Sequence, residues 1–145
     1  MKELSENFLE LEAEIISIIE KGNELNSKKK HEEAISLYKK AWGILPEPKL
    51  GWEMISSWLA GSFFTAYFYL EEYDLAKYWA IKQLDSDDAD NNTAPLIALG
   101  MVCFELNELK EAFGYFDSAY IYGKERAFKG RPGKYFKFYL SENNK

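Results

Sequence analysis

Ala34 and Ala112 stand in the same local pattern. Gly22 precedes Ala34 by twelve residues, and Tyr38 and Ala41 follow it by four and seven; Gly100, Phe116 and Ala119 repeat those spacings about Ala112. Ala76 marks a third occurrence, and Pro46 closes the first. Recurrence on this scale means that one supersecondary unit is used several times. Small residues at fixed points let two antiparallel helices approach closely, the aromatic plugs the next hairpin, and proline ends the second helix.

The periodicity predicts the individual helices. A first helix over about 3–26 carries Phe8, Leu11, Ile15, Ile18, Ile19 and Leu25 on one stripe. The Ser27 to His31 stretch turns the chain, and His31 to Trp42 forms the partner helix with Ala34, Ile35, Tyr38, Ala41 and Trp42 inward. Leu45-Pro-Glu-Pro48 breaks the pattern, and Pro48 can open a third helix that runs to Leu70. That helix is strongly aromatic, with Trp52, Trp58, Phe63, Phe64, Tyr67, Phe68 and Tyr69. Further helices are expected over Tyr73 to Leu84, Pro95 to Leu106 and Leu109 to Tyr122, and a last short one over Lys134 to Leu140 follows the Gly130-Arg-Pro-Gly133 breaker. Stacked repeats need a terminal cap, and this helix is its natural candidate.

Composition excludes several classes. With 145 residues, 47% of them hydrophobic, the chain has material for one continuous core. Met1 to Glu14 is acidic and amphipathic, unlike a secretory signal, and no uncharged run approaches the roughly twenty residues of a membrane span. A cytoplasmic location away from membranes is the expectation. The single cysteine, Cys103, excludes an internal disulfide and reads as a buried, inert thiol. One His and one Cys cannot make a zinc site alone. The polar loop Asp85 to Thr93 has four aspartates, but a calcium loop would need an oxygen ligand at Ala89, a glycine at Asp90 and a glutamate at Leu96. A solvated linker is the better account, and neither metal nor cofactor is expected.

The net charge of −6 hides a division: residues 1–123 carry 11 Lys/Arg against 22 Asp/Glu, a balance of −11, and residues 124–145 carry 7 against 2, a balance of +5. An acidic body repels phosphate backbones, so nucleic acid is not expected as a partner, whereas a cationic protein would be steered toward it. Acidic helices also simply keep a repeat protein soluble.

The spacings about Ala34, Ala76 and Ala112 resemble the tetratricopeptide repeat, a helix-turn-helix unit of 34 residues, over about residues 13–122. The intervals here are 42 and 36, with the surplus assigned to the two connections. The resemblance implies an all-α fold: a single domain over 1–145 of three antiparallel hairpins at about 3–45, 48–84 and 94–122 in a right-handed superhelical stack, capped by about 124–142. Hairpin two departs from it, with Phe64 at the position of the small residue and Gln83 at that of a late alanine, which puts its packing angle in question. A narrower set of residues, including Leu45-Pro-Glu-Pro-Lys49, Trp52, Trp58, Ala66-Tyr-Phe68, Cys103-Phe-Glu-Leu106 and Lys134-Tyr135, is similar to small bacterial repeat proteins encoded beside polymorphic toxins and taken to be their immunity partners.

In such a stack the first helix of each hairpin faces a concave groove. The resemblance then places Ile19, Asn23 and Asn26 from hairpin one, Trp58, Ser62, Thr65, Phe68 and Tyr69 from hairpin two, and Ile97, Met101, Phe104 and Glu105 from hairpin three on its lining. Family members that clamp a carboxylate tail use lysines and arginines there. Here only Asn23 fits that clamp, so tail binding is not expected. Aromatic and methionine side chains suit a protein-binding hot spot. For Phe68 and Phe104, packing against the basic terminal helix is an equal alternative. No phosphate loop or nucleophile elbow is present, and acidic pairs such as Glu32 with Glu33 read as helix surface, so catalysis is not expected. The implied function is a protein-binding module, foremost an immunity protein that occludes a cognate toxin such as a cationic toxin domain; the alternative is a regulatory adaptor or peptide-sensing domain.

Overall fold

The computed structural model describes residues 9–47, 49, 52–86 and 93–145. Among them the chain forms α1 (Leu9–Ser27), α2 (His31–Ile44), α3 (Glu53–Tyr69), α4 (Tyr73–Ser86), α5 (Ala94–Glu105), α6 (Leu109–Gly123), a 3-10 turn η1 (Lys124–Phe128) and α7 (Gly133–Asn143). The described residues contain no strand. Helices α1 with α2, α3 with α4 and α5 with α6 pack as antiparallel pairs. The chain divides into two compact units, Met1–Asp87 and Asp88–Lys145. The expected beginning of the first helix, with Phe8, the role of Pro48, and most of the aspartate loop lie outside the described residues.

Each pair turns in the same way. Lys29, Glu71 and Asn107, five residues before Ala34, Ala76 and Ala112, adopt φ of 65°, 60° and 63°. A left-handed residue ends a helix because it lets the next amides turn back onto the last carbonyls. Here Lys30, Glu72 and Glu108 donate their backbone N–H to the carbonyls of Leu25, Tyr67 and Cys103 at 2.9, 3.0 and 2.8 Å. The hairpins therefore share one register. The longer intervals between the alanines arise outside the turns, and not in the connections alone as expected: α3 has 17 residues against 12 in α5, which accounts for most of the difference between 42 and 36.

Close helix approach follows from the glycine and aromatic positions. A Cβ placed on Gly22 would lie 2.6 Å from Tyr38 Cε1, and one on Gly100 only 2.3 Å from Phe116 Cε1. Both rings are fully buried, as are Ala34, Ala41, Ala112 and Ala119. The middle pair solves the same problem with reversed volumes. Phe64 occupies the glycine position and Ala80 the aromatic one, and both are buried. Its tight approach moves to Gly61, where a Cβ would meet Gln83 Nε2 at 2.8 Å.

In the first unit an aromatic seam joins the two pairs. Phe63 stacks on Trp79 at 3.9 Å between ring centroids, Tyr38 meets Phe63 edge-on at 5.5 Å, and Trp42 meets Trp79 at 5.0 Å. Edge-to-face and stacked rings of this kind add to their area burial. Helix α3 begins at Glu53, later than the expected start at Pro48. Side chains fix that delay: Trp52 Nε1 donates to the Pro46 carbonyl at 2.8 Å, and Ser56 Oγ donates to the carbonyl of Lys49 at 2.5 Å. Lys49 Nζ donates to the carbonyls of Trp42 and Leu45, closing the end of α2.

The second unit packs its terminal helix on the last pair, in keeping with the expected cap. Tyr135 and Tyr139 of α7 are buried, and Tyr139 donates its hydroxyl to Asp117 Oδ1 of α6 at 2.7 Å. Phe128 on η1 had no assigned place in the sequence pattern. It is 6% exposed and packs between Phe116 and Tyr139, at 5.4 and 5.8 Å. Cys103 is buried.

Candidate functional site

Helix periodicity gathers one set of side chains on a single face of α3. Trp58, Ser62, Thr65 and Tyr69 follow one another at four-, three- and four-residue steps. With Asn23, Asn26 and Ser27 of α1, and with Gly61 and Gln83, they line a depression of about 460 Å³ within the first unit. No charged side chain belongs to the lining. Trp58 is 37% exposed and Tyr69 65%, so two large rings meet solvent at its edge.

The polar groups around the depression are held in place. Tyr38 donates its hydroxyl to Asn23 Oδ1 at 2.5 Å. Burial pushes the Tyr38 phenol up to about 12, against a smaller opposing effect of hydrogen bonding with Ser62, so the group is neutral and a donor through the physiological range. Ser62 and Thr65 return their hydroxyls to the carbonyls of Trp58 and Gly61, each at 3.0 Å. Their second lone pairs remain to accept. His31 stacks on Tyr69 at 5.5 Å, and its Nδ1 is in hydrogen-bond contact with Asn26 Oδ1.

Of the residues expected on the lining, Asn23, Asn26, Trp58, Ser62, Thr65 and Tyr69 are brought together here. Phe68 is half-buried in a ring cluster with Phe64, Tyr69 and Tyr73, at 5.3, 6.2 and 5.4 Å. Ile19 is fully buried. In the second unit, Ile97 and Met101 are 0% and 4% exposed. Phe104 and Glu105 engage the terminal helix. Phe104 meets Tyr135 and Phe138 edge-on at 5.4 and 5.2 Å. Glu105 accepts from Lys134 Nζ and from the Tyr135 hydroxyl, both at 2.7 Å. Burial works against its charge, but these two donors outweigh burial and hold the carboxyl below its usual range.

Sequence reasoning did not assign Ser27, Gly61 or Gln83 to the lining, nor His31 to a place against its Tyr69. His31 opens α2, a second helix of a pair, and only the turn at Lys29 swings it toward Tyr69. Gln83 did carry a signal, as a long polar residue where the repeat pattern asks for alanine.

No family model matches the sequence, and no curated protein matches it. Among solved structures, the chain is similar to the C-terminal TPR-containing domain of a Plasmodium falciparum protein described as FK506-binding. The TM-score is 0.69 at 23% identity, over 90% of this chain and 86% of that one. The fold is thus the all-α helix-pair fold of a tetratricopeptide-repeat domain. Among the described residues, no helix is long and apolar enough to cross a membrane.

Proposed function

We propose that this protein is a protein-binding helical-repeat module whose partner places a segment in the depression lined by α1 and α3. The supporting observation is the lining itself, in which the exposed rings of Trp58 and Tyr69 flank uncharged amides and hydroxyls. Large rings left wet are costly and serve as anchors when a partner covers them. Amides and hydroxyls beside them suit the backbone of a peptide segment, which presents donors and acceptors without charge. The finer reading is a cytoplasmic bacterial immunity protein that occludes a cationic toxin domain. It is supported by the balance of −11 over residues 1–123, which would steer such a domain, and by the narrower sequence resemblance.

The test begins with a pull-down from the native host and continues with titration of the purified partner against wild type, Trp58→Ala and Tyr69→Ala. Each substitution is expected to weaken binding by about 1–3 kcal/mol with helicity unchanged. Normal binding by both variants would overturn the depression as the docking site. A captured toxin domain whose activity is silenced at equal concentration supports immunity; a partner without toxin activity favours the adaptor reading.

A further inference from the structure

The basic residues near the C-terminal end are not spread evenly once the chain folds. Between η1 and the start of α7 lies a cleft of about 510 Å³, wholly within the second unit. Its floor is aromatic: Phe128 is nearly buried, and its ring centroid lies 4.7 Å from that of Phe136. Its rim is cationic. Arg126 from η1, Lys129 just after it and Lys137 from α7 are exposed, Arg131 lies at the junction, and Glu125 is the one acid in the lining.

These cations differ from their neighbour Lys134, which is held by Glu105. Among the described residues, no carboxylate lies within ion-pair distance of Arg126, Lys129 or Lys137. The first turn of α7 supplies no acid either. Three unpaired positive charges converging on one cleft repel one another, although the rest of the chain has carboxylates in excess. Solubility does not require that arrangement, since the acidic body already provides it.

We propose that this cleft binds an acidic segment of a protein partner. Carboxylates of the segment pair with Arg126, Lys129 and Lys137, and one aromatic or aliphatic side chain lies against Phe128 and Phe136. Charge complementarity selects the acid, and the apolar floor selects a peptide over a simple polyanion. A polynucleotide is disfavoured because residues 88–123 of the same unit carry 1 Lys/Arg against 6 Asp/Glu, a balance of −5 that repels a phosphate backbone continuing beyond the cleft. The inference stands apart from the depression in the first unit.

The experiment uses the full chain and a fluorescein-labelled peptide of aspartates and glutamates around a central Phe-Leu pair, read by fluorescence polarisation. Saturable binding is expected, weakening steeply with salt. It should fall about tenfold or more in the Lys129→Glu, Lys137→Glu double variant and in Arg126→Gln, and remain unchanged in Trp58→Ala. Replacing the Phe-Leu pair by Ser-Ser should weaken it several-fold. Circular dichroism of each variant establishes that the fold is intact. Four results would each overturn the proposal: no saturable binding; equal binding of the peptide with its acids changed to amides; tighter binding of oligo-thymidylate or phosphatidylserine vesicles than of the peptide; or salt-sensitive self-association in sedimentation that the double variant loses, which would make the occupant a second copy.

Discussion

The hydroxyl of Tyr38 donates to Asn23 Oδ1 at 2.5 Å while the ring of Tyr38 covers Gly22, the residue before Asn23. One side chain thereby sets both the closeness of the first helix pair and the orientation of an amide in the candidate site. Tyr38→Phe keeps the ring and removes the donor. Thermal or urea unfolding should show a loss of about 1 kcal/mol, the ordinary worth of such a bond. Partner affinity should also fall, because the Asn23 amide is then free to rotate.

Glycine-to-alanine changes should take opposite signs at two positions. At Gly100 the new Cβ meets the fully buried Phe116 ring at 2.3 Å, so Gly100→Ala should cost about 1–3 kcal/mol by overpacking. Gly114, inside α6, has nothing within 4 Å of its added Cβ. Gly114→Ala should therefore stabilise by about 0.5–1 kcal/mol through helix propensity alone. Melting temperatures of the two variants moving in the same direction would contradict the assigned packing.

Glu71 has no side-chain reason to adopt φ of 60°, a conformation that costs most residues about 1–2 kcal/mol. Glu71→Gly relieves that strain but frees the unfolded chain. A net gain of about 0.5 kcal/mol is expected in chemical denaturation. At Asn107, whose residue type tolerates this region, replacement by glycine should do less.

The Glu105 carboxyl is held below its ordinary 4.5 in the folded state. A depressed folded pKa gives stability that is present above the unfolded value and lost as pH falls through the folded one. Because Lys134 is 54% exposed, solvent weakens the pair, and Glu105→Gln should cost only about 1 kcal/mol at neutral pH. The difference in unfolding midpoint between wild type and variant should shrink as the pH drops below the ordinary value.

At the alkaline end the sign reverses. Burial pushes Tyr38 up to about 12, and burial followed by the hydrogen bond and charge of Asp117 does the same for Tyr139, from an ordinary 10.0. The folded chain therefore keeps protons that the unfolded chain has released. Stability should be complete below pH 10 and decline as the pH climbs toward 12, by up to about 3 kcal/mol for each tyrosine. Urea midpoints across this range check the expectation, and Tyr38→Phe should flatten part of the decline.

How much of this was legible in the sequence varies by residue. The shared spacing of Gly22 with Tyr38 and of Gly100 with Phe116 was readable as a repeat with close helix approach. The ring, however, was expected in the next hairpin, and that it also covers the glycine of its own pair came only from the structure, since that contact crosses a turn. The face of α3 bearing Trp58, Ser62, Thr65 and Tyr69 was readable because helix geometry converts a fixed spacing into a shared face. For Phe104 the packing against the terminal helix was one of two equal readings, and its ring meets Tyr135 and Phe138 there. Glu105 was assigned to the lining alone, and its bonds to Tyr135 and Lys134 could not be read, since they join residues about thirty positions apart across a breaker.

The sequence by itself determined the helices, their pairing and their common register, because these rest on local periodicity, small residues at close approaches and glycine or proline at the breaks. Tertiary structure alone decided the reversed volumes of Phe64 and Ala80, the late start of α3 at Glu53, the insertion of Phe128 and the place of His31 beside Tyr69. Each depends on which neighbour fills a space or satisfies a donor. Periodicity says which way a side chain points, and only the packed chain says what it meets.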